Sequence, residues 1–461
     1  MFVARESERK QVEDFLTKNG AMIVYGLRRV GKTTLIKKVL EDQRRDYVYF
    51  ECQKASEETN VSLFVDLLKE KLGFPEAEFH TFLSVFKEIE KRYKNQVFVI
   101  DEYSFMKQYY LESKKPETKQ RAEQLDSEFQ NIIDEHLGDS RLILSGSSIH
   151  IMEKLLEHNS PVYGRFEEKI ALKQFSYLDA KKMLPTLSNE DLIAFYSVFG
   201  GSPYALEKVN AKASLKDNIC DLLLNESGKL RDHLSHNVIN ELEADPDLHD
   251  ILDAIKNGAK SYSEIESRSH IKTSGLLDKR LKKLLELDLI ETRFPIGREA
   301  DTRKKRYQIK DNLLKFYYAY IFRQDNRISL LGEQRYYDLY IAPSLKEFVS
   351  RRFENIVRDY FSFAVKKGKY PDIVDIGSYF TAESEFDCVL QKASGGYAVY
   401  EVKYLSQSMK EAQIRKEISQ IREIKGLDVK EIGFVCSSGF ANKMEGIVYL
   451  DLDDIFFSNP T

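Results

Sequence analysis

The sequence predicts an α/β fold that opens on a parallel sheet covered on both faces and closes on a second α/β domain. Three observations carry that reading. Five short apolar runs in the first 175 residues are separated by helix-length segments. Strands buried on both faces read as continuous apolar stretches of this kind, and such an order points to a parallel sheet. The first run passes into a glycine-rich loop, and the third ends in two adjacent acids.

The elements follow in order. The runs are Ala21–Tyr25, Tyr47–Phe50, Val97–Ile100, Leu142–Leu144 and Ile170–Leu172. Thr33–Leu40, Val61–Leu72, His80–Tyr93 and Glu123–Leu137 carry helical patterns. Met106–Gln120, rich in Lys, Glu and Tyr, reads as a surface loop or a helical insertion on the surface. Residues 176–249 read as helical, with Gly200-Gly-Ser-Pro203 as a sharp break. The expected domains are 1–175, 176–249, 250–327 and 328–461.

Composition bounds the function. Apolar residues make up 42% of the 461, enough for packed cores and too many for a disordered chain. Seventy Lys and Arg against 74 Asp and Glu leave a net charge of -4. That excludes an all-over basic coat and an acidic solvating tail, but not local patches. Cys52, Cys220, Cys388 and Cys436 are too scattered for a zinc ribbon or a disulfide framework, which fits a reducing compartment. Charges interrupt every apolar run, so the expectation is a cytoplasmic protein without membrane association.

Gly26-Leu-Arg-Arg-Val-Gly31-Lys32-Thr33 matches the pattern G-x4-G-K-[ST] in full, and Thr34 follows. Glycines let the backbone wrap closely round phosphate oxygens, and the next helix adds its N-terminal dipole. Lys32 is placed to reach the β- and γ-phosphates, and the Thr33 hydroxyl to ligate Mg²⁺. A chance glycine turn is the bland alternative; strand, motif and helix in register argue against it. Arg28 and Arg29 also lie near the expected nucleotide, or pair with nearby acids. The expected ligands are therefore ATP and Mg²⁺, on a P-loop NTPase fold.

Asp101 and Glu102 end the third run. Asp101 is suited to the Mg²⁺ shell and Glu102 to polarising an attacking water. A Glu directly after the Asp favours a sheet with an extra strand between the phosphate-loop strand and the acidic strand, in the order 5-1-4-3-2. The fourth run ends in Ser145-Gly-Ser-Ser148. Ser145 or Ser147 is a candidate γ-phosphate sensor, and Ser147 or Ser148 equally a helix N-cap. Arg165, on a loop beyond that strand, is a candidate arginine finger acting in cis or in trans.

Six boxes occur in order: Phe2-Val-Ala-Arg5-Glu6, the phosphate loop with its Arg-Arg, Asp101-Glu102, Ser145–Ser148, Tyr163-Gly-Arg165 and Gly200–Pro203. Together they resemble the archaeal-type ATPases of the AAA+/STAND group, over about residues 1–210. The resemblance implies that Arg5 and Glu6 lie near the nucleotide base. It also implies that Gly201 and Pro203 belong to a small helical lid sensing nucleotide state, and that nucleotide-dependent self-association is open. Such chains often continue into a winged helix and a domain of uncharacterised function.

Residues 250–327 fit a winged helix-turn-helix. Asp250–Lys256 and Tyr262–Ser267 are short helical patterns. Lys272–Leu289 is longer, with Leu277, Leu281, Leu284 and Leu285 on one face. Glu291–Pro295 starts an extended segment, and a charged loop, Gly297–Arg306, precedes Tyr307–Ile309. Residues 251–327 hold 18 Lys and Arg against 11 Asp and Glu, a net of +7, leaving -11 for the rest. Lys279, Arg280, Lys282 and Lys283 on the third helix, with Arg303–Arg306 in the wing, suit duplex DNA. The bland alternative is a protein-docking module with solvated charges.

In the last domain Phe353–Tyr360 reads as a helix, and Glu385–Leu390 and Tyr397–Tyr404 as a hairpin closed by Ala393–Gly396. Alternation puts Glu401 and Lys403 on one face, with Asp387 on the adjacent strand. Asp followed by Glu-x-Lys on a paired strand resembles restriction-endonuclease-like nucleases. That resemblance implies Mg²⁺ on Asp387 and Glu401, a water-activating Lys403, and Glu354 as a further ligand. A Glu-Val-Lys strand is also common as a solvated face.

The sequence thus supports an ATP-hydrolysing enzyme coupled to a DNA-binding winged helix and a nuclease-like domain. The alternative is an ATP-controlled switch, or a DNA-binding regulator, whose last domain is a non-catalytic interaction module.

Overall fold

The computed structural model describes residues 3–235, 242, 245–271, 274–298, 301–381, 385–424 and 426–457. Phe2 of the first box, Lys272 at the expected start of the third helix, and Glu299 and Ala300 of the expected wing lie outside them. The chain divides into two compact units, Met1–Gln174 and Phe175–Thr461.

In the first unit, β1 (Gly20–Tyr25), β2 (Tyr47–Glu51), β3 (Val97–Asp101), β4 (Arg141–Gly146) and β5 (Phe166–Ala171) form one sheet in the order β2-β3-β4-β1-β5. Every pair is parallel. This is the 5-1-4-3-2 order read in reverse. The three central strands are buried almost throughout, whereas the edges β2 and β5 alternate buried and solvent-facing residues. An edge strand has one half-wet face, so its side chains must alternate.

Helices α1 (Glu6–Phe15) and α2 (Lys32–Asp42) build one apolar layer through Val12, Phe15, Leu35 and Ile36. Helices α3 (Glu57–Leu72), α4 (Phe82–Arg92), α5 (Tyr103–Leu111) and α6 (Pro116–Asn131) build the other through Phe64, Phe86, Met106 and Phe129.

Two expectations are corrected here. Met106–Gln120 is no loop, since α5 and α6 cross it; residues 111–120 lie mostly at the surface, but Met106 and Tyr110 point into the core. Its polar composition hid a buried ion pair, Lys107 with Asp126, to which Tyr103 also donates at 2.9 Å. The fifth strand begins at Phe166 and ends before Leu172, because Phe166 and Ile170 face inward while Glu167 and Lys169 face solvent.

The second unit begins with α7 (Tyr177–Met183), α8 (Asn189–Phe199) and α9 (Pro203–Lys208). Gly200 has φ +70°, and a Cβ on Gly201 would sit 2.0 Å from the Phe175 carbonyl oxygen. The break therefore demands glycine, and Pro203 opens α9 where a missing N–H costs nothing. Tyr177 and Ile193 share an apolar core with Phe353, Val357 and Tyr360, so this helical region packs within the same unit as the C-terminal helix.

Pro246–Ile255, Tyr262–Ser269 and Ser274–Glu286 are three helices within the span expected to form a winged helix. Its strands β6 (Lys260–Ser261), β7 (Ile290–Arg293) and β8 (Arg306–Ile309) form an antiparallel sheet in the order β6-β8-β7. Leu277, Leu281 and Leu284 are buried, but Leu285 is exposed at the rim of the face expected to bury it.

The long helix Ala342–Lys366 precedes β9 (Ile373–Phe380), β10 (Glu385–Lys392) and β11 (Tyr397–Lys403), which are antiparallel. Helix Glu411–Arg422 leads to β12 (Val429–Cys436) and β13 (Val448–Leu450), both parallel to β11's direction. The sheet order is β13-β12-β11-β10-β9. The extended segment after β7 meets this sheet: the Ile296 N–H donates to the Ser378 carbonyl at 2.8 Å. Among the described residues no helix is long and apolar enough to cross a membrane.

Candidate nucleotide site and C-terminal carboxylate cluster

Parallel pairing sets β1, β3 and β4 to end together, with Tyr25 beside Gly146 and Glu51 beside Asp101. The loop after β1 and the acids after β3 therefore meet at one edge of the sheet. Gly26 has φ +153°, and a Cβ there would lie 2.1 Å from the Leu172 carbonyl oxygen. Only glycine fits this approach. Gly31, at φ +95°, and Arg29, at φ +65°, complete the loop before α2.

Lys32 is buried, and its Nζ donates to the carbonyl oxygens of Gly26 at 2.9 Å and Leu27 at 3.1 Å. Burial lowers its proton affinity, against the pull of Glu102 and Asp101. The Thr33 hydroxyl donates to Asp101 Oδ2 at 3.0 Å, and Thr34 is exposed beside it. Tyr49 donates to the same Asp101 oxygen, and burial pushes the Tyr49 hydroxyl's pKa up.

Glu102 sits at φ +51° and accepts from the Ser147 N–H at 3.0 Å and the Ser147 hydroxyl at 2.7 Å. Of the two candidate sensors, Ser147 thus meets the acid. Ser145 is fully buried in β4, its hydroxyl without a hydrogen-bond partner among the described residues. Arg5 folds onto the loop: its guanidinium donates to the Val30 carbonyl at 3.2 Å and to the Lys173 carbonyl. Arg28 lies 4.9 Å over the Phe105 ring. Arg165 is not brought to the loop; its Nε bonds both carboxylate oxygens of Asp134, at 3.0 and 2.9 Å. Pro203 belongs to the second unit.

A buried lysine coiled over its own loop and a Thr–Asp hydrogen bond form a donor set that fits a nucleotide phosphate with Mg²⁺. Thr33 and Asp101 would hold the ion, which when bound offsets phosphate charge.

In the second unit, the register Cys388–Tyr400 leaves Asp387 and Glu401 at the next position of the β10–β11 hairpin. Glu354, from the long helix, shares a hydrogen bond with Asp387. Burial raises the Glu354 carboxyl, reinforced by the charge of Asp387, and burial likewise raises Asp387 and Glu401. Lys403 Nζ lies 2.6 Å from Glu401 Oε1 and 3.2 Å from Glu417. Burial works against its charge, yet the two acids hold its pKa above the ordinary value. Arg358 donates to the Asp387 carbonyl oxygen and to Asn355.

Sequence reasoning missed Tyr49, Arg358 and Glu417. Arg358 had a signal, lying one helical turn from Glu354; Glu417 had none. Among the described residues no group of three His, Cys, Asp or Glu side chains is gathered closely enough to hold a metal ion. Lys403 pairs with Glu401, and Arg358 bonds the Asp387 backbone carbonyl rather than either carboxylate.

The basic surface is likewise redistributed. Lys279, Lys282, Lys283 and Arg303 are exposed. Arg280 instead pairs with Asp245 and Asp247 at 3.0 and 2.9 Å. Arg306 pairs with Glu385 at 3.3 Å and covers the Phe380 ring at 4.0 Å. These two leave the expected DNA-facing set.

The fold and loop of the first unit define a Walker-type ATPase domain. Residues 2–209 match the family of ATPase domains predominantly from Archaea. Residues 317–416 match a family described as Archaea bacterial proteins of unknown function. An uncharacterized protein of Methanocaldococcus jannaschii is 27% identical over 439 residues, 93% of each chain. The Walker-type ATPase of Pyrococcus abyssi aligns over 69% of this chain and 96% of its own, with 18% identity and a TM-score of 0.51. That likeness is one of fold.

Proposed function

We propose that the protein is an ATP-hydrolysing switch whose second unit acts on DNA. The observation that carries the ATPase reading is the joined pair Thr33–Asp101, with Glu102 held on Ser147 beside a buried Lys32. Lys32 exchanges the carbonyls of Gly26 and Leu27 for β- and γ-phosphate oxygens. Glu102 orients and polarises the attacking water, and Ser147 fixes the angle of its carboxylate. Arg5 steadies the loop, and Gly26, Arg29, Gly31 and Thr34 shape it. Arg165 contacts a phosphate only by leaving Asp134, in its own chain or in a second copy. Pro203 and its helix transmit nucleotide state.

For the second unit, Lys279, Lys282, Lys283 and the wing's Arg303 supply phosphate contacts to duplex DNA. Affinity should then fall steeply between two salt concentrations; a flat response defeats this part. The strand order with Asp387, Glu401 and Lys403 on one hairpin supports a nuclease-like fold. Supercoiled plasmid with Mg²⁺ tests cleavage, wild type against Asp387→Ala and Lys403→Ala. Equal nicking by all three reduces the domain to a fold. The engagement of Lys403 by both Glu401 and Glu417 favours a second reading, in which this domain binds without cutting.

A further inference from the structure

Two cavities of the second unit adjoin where the winged helix meets the long helix Ala342–Lys366. One, of about 410 Å³, is walled by the rings of Tyr320, Phe322, Tyr336, Tyr340 and Phe348. The other, of about 460 Å³, is polar and holds Arg293, Arg306, Glu354 and Asp387. Asn257, Arg351 and Arg352 line both. Each volume lies in the range of small-molecule sites.

The aromatic wall is not closed core. Tyr340 is 42% exposed and stacks on Tyr336 with centroids 5.0 Å apart, and Arg327 covers its ring at 5.0 Å. Such a surface offers sequence-tolerant stacking to a nucleobase. The shared wall is cationic. Arg351 is engaged by Glu347 and the Asn257 carbonyl. Arg352, by contrast, is only 4% exposed, and its Nε has no hydrogen-bond partner among the described residues. A buried guanidinium N–H without an acceptor is costly, and an anionic oxygen in either cavity would supply one. Burial pushes Arg352 and Arg293 down to about 10, the expected response to cations short of counter-charge.

We propose that this double cavity binds an unpaired nucleotide, its base among the aromatic rings and its phosphate on Arg351 and Arg352. The nucleotide is the end of a nucleic-acid strand or a free nucleotide, which present the same base and phosphate. The inference deepens, and rests on, the reading that the second unit acts on nucleic acid. With the base so held, the next linkage of a strand enters the cavity that contains Glu354 and Asp387.

The test uses the full chain carrying Lys32→Ala, so that the phosphate loop does not compete, in EDTA so that nothing is cut. The probes are a 5′-phosphorylated single-stranded oligodeoxynucleotide, its blunt duplex, and AMP. Tyr340→Ala and Arg351→Gln should each weaken single-strand binding about ten-fold while leaving duplex affinity, which rests on the exposed lysines, unchanged. Tyr340→Phe should retain the affinity, which separates stacking from misfolding. Displacement by AMP identifies a free nucleotide as the ligand, and resistance to AMP a strand end. Equal single-strand binding by the Lys32→Ala chain with and without Tyr340→Ala, or binding of neither the single strand nor AMP, overturns the proposal. A strand bound in EDTA yet never cut in Mg²⁺ sinks only the nuclease reading.

Discussion

The phosphate loop and the C-terminal carboxylate cluster are both built where strands end, yet they differ in what surrounds their charged groups. In the first, Lys32, Thr33 and Asp101 bond to one another or to the loop's own carbonyls. In the second, cations from elsewhere in the domain enter: Lys403 joins Glu401 to Glu417, and Arg358 bonds the Asp387 backbone carbonyl. A site assembled from eight consecutive residues and two strand ends has its geometry set locally. A site assembled from a helix, a hairpin and a second helix has its charges set by whatever packs beside it, so the same kind of motif is a weaker guide to chemistry.

The comparison breaks most visibly at Lys32. Lys32→Ala should abolish ATP binding, read by calorimetry, while the melting temperature stays near wild type. Retained binding would remove the contrast between a self-contained site and a shared one. Next in size, Glu102→Gln should bind ATP normally but lose roughly 10²–10⁴-fold in turnover, measured as phosphate release. Ser147→Ala tests whether the Glu102 contact matters. A fall of about ten-fold in kcat with little change in KM is expected, a cost of about 1.4 kcal/mol at the barrier. A rise in KM alone would mean that Ser147 only caps its helix.

The smallest effect concerns a buried acid that the first unit keeps inside its helical layer. Glu57 accepts from the Phe82 N–H at 2.9 Å and pairs with Arg121, and burial raises its pKa from the ordinary 4.5. Because the folded value is raised, the unfolded chain releases its proton first. Stability should therefore fall as pH rises from about 4.5 upward, until the folded carboxyl also ionises. Glu57→Gln should flatten that part of the profile in thermal melts. An unchanged slope would mean that Arg121 fully offsets the burial.

Much of this was legible in the residues. Gly26 to Thr33, the acids ending β3 and the sheet order follow from apolar runs, glycine placement and one extra acid. The helices between residues 246 and 286 and the Asp387–Glu401 hairpin followed from periodicity and a glycine turn. Leu285, the buried Lys107 and the diversion of Arg280 and Arg306 did not follow, because polarity in sequence does not say whether a charge meets water or an opposite charge.

The sequence by itself determined the five strands of the first unit, where the backbone must be glycine and which side chains suit a nucleotide phosphate, though not the strand Ile373–Phe380. Those properties depend on φ/ψ limits and on neighbours within a few residues. Only the tertiary structure decided that Ser147 rather than Ser145 meets Glu102 and that Arg165 rests on Asp134. It also decided that Lys403 joins Glu401 to Glu417, that Arg358 bonds the Asp387 backbone carbonyl, and that Arg352 stands buried between two cavities. Charges act over distance and through burial, and both are set by residues far away in the chain.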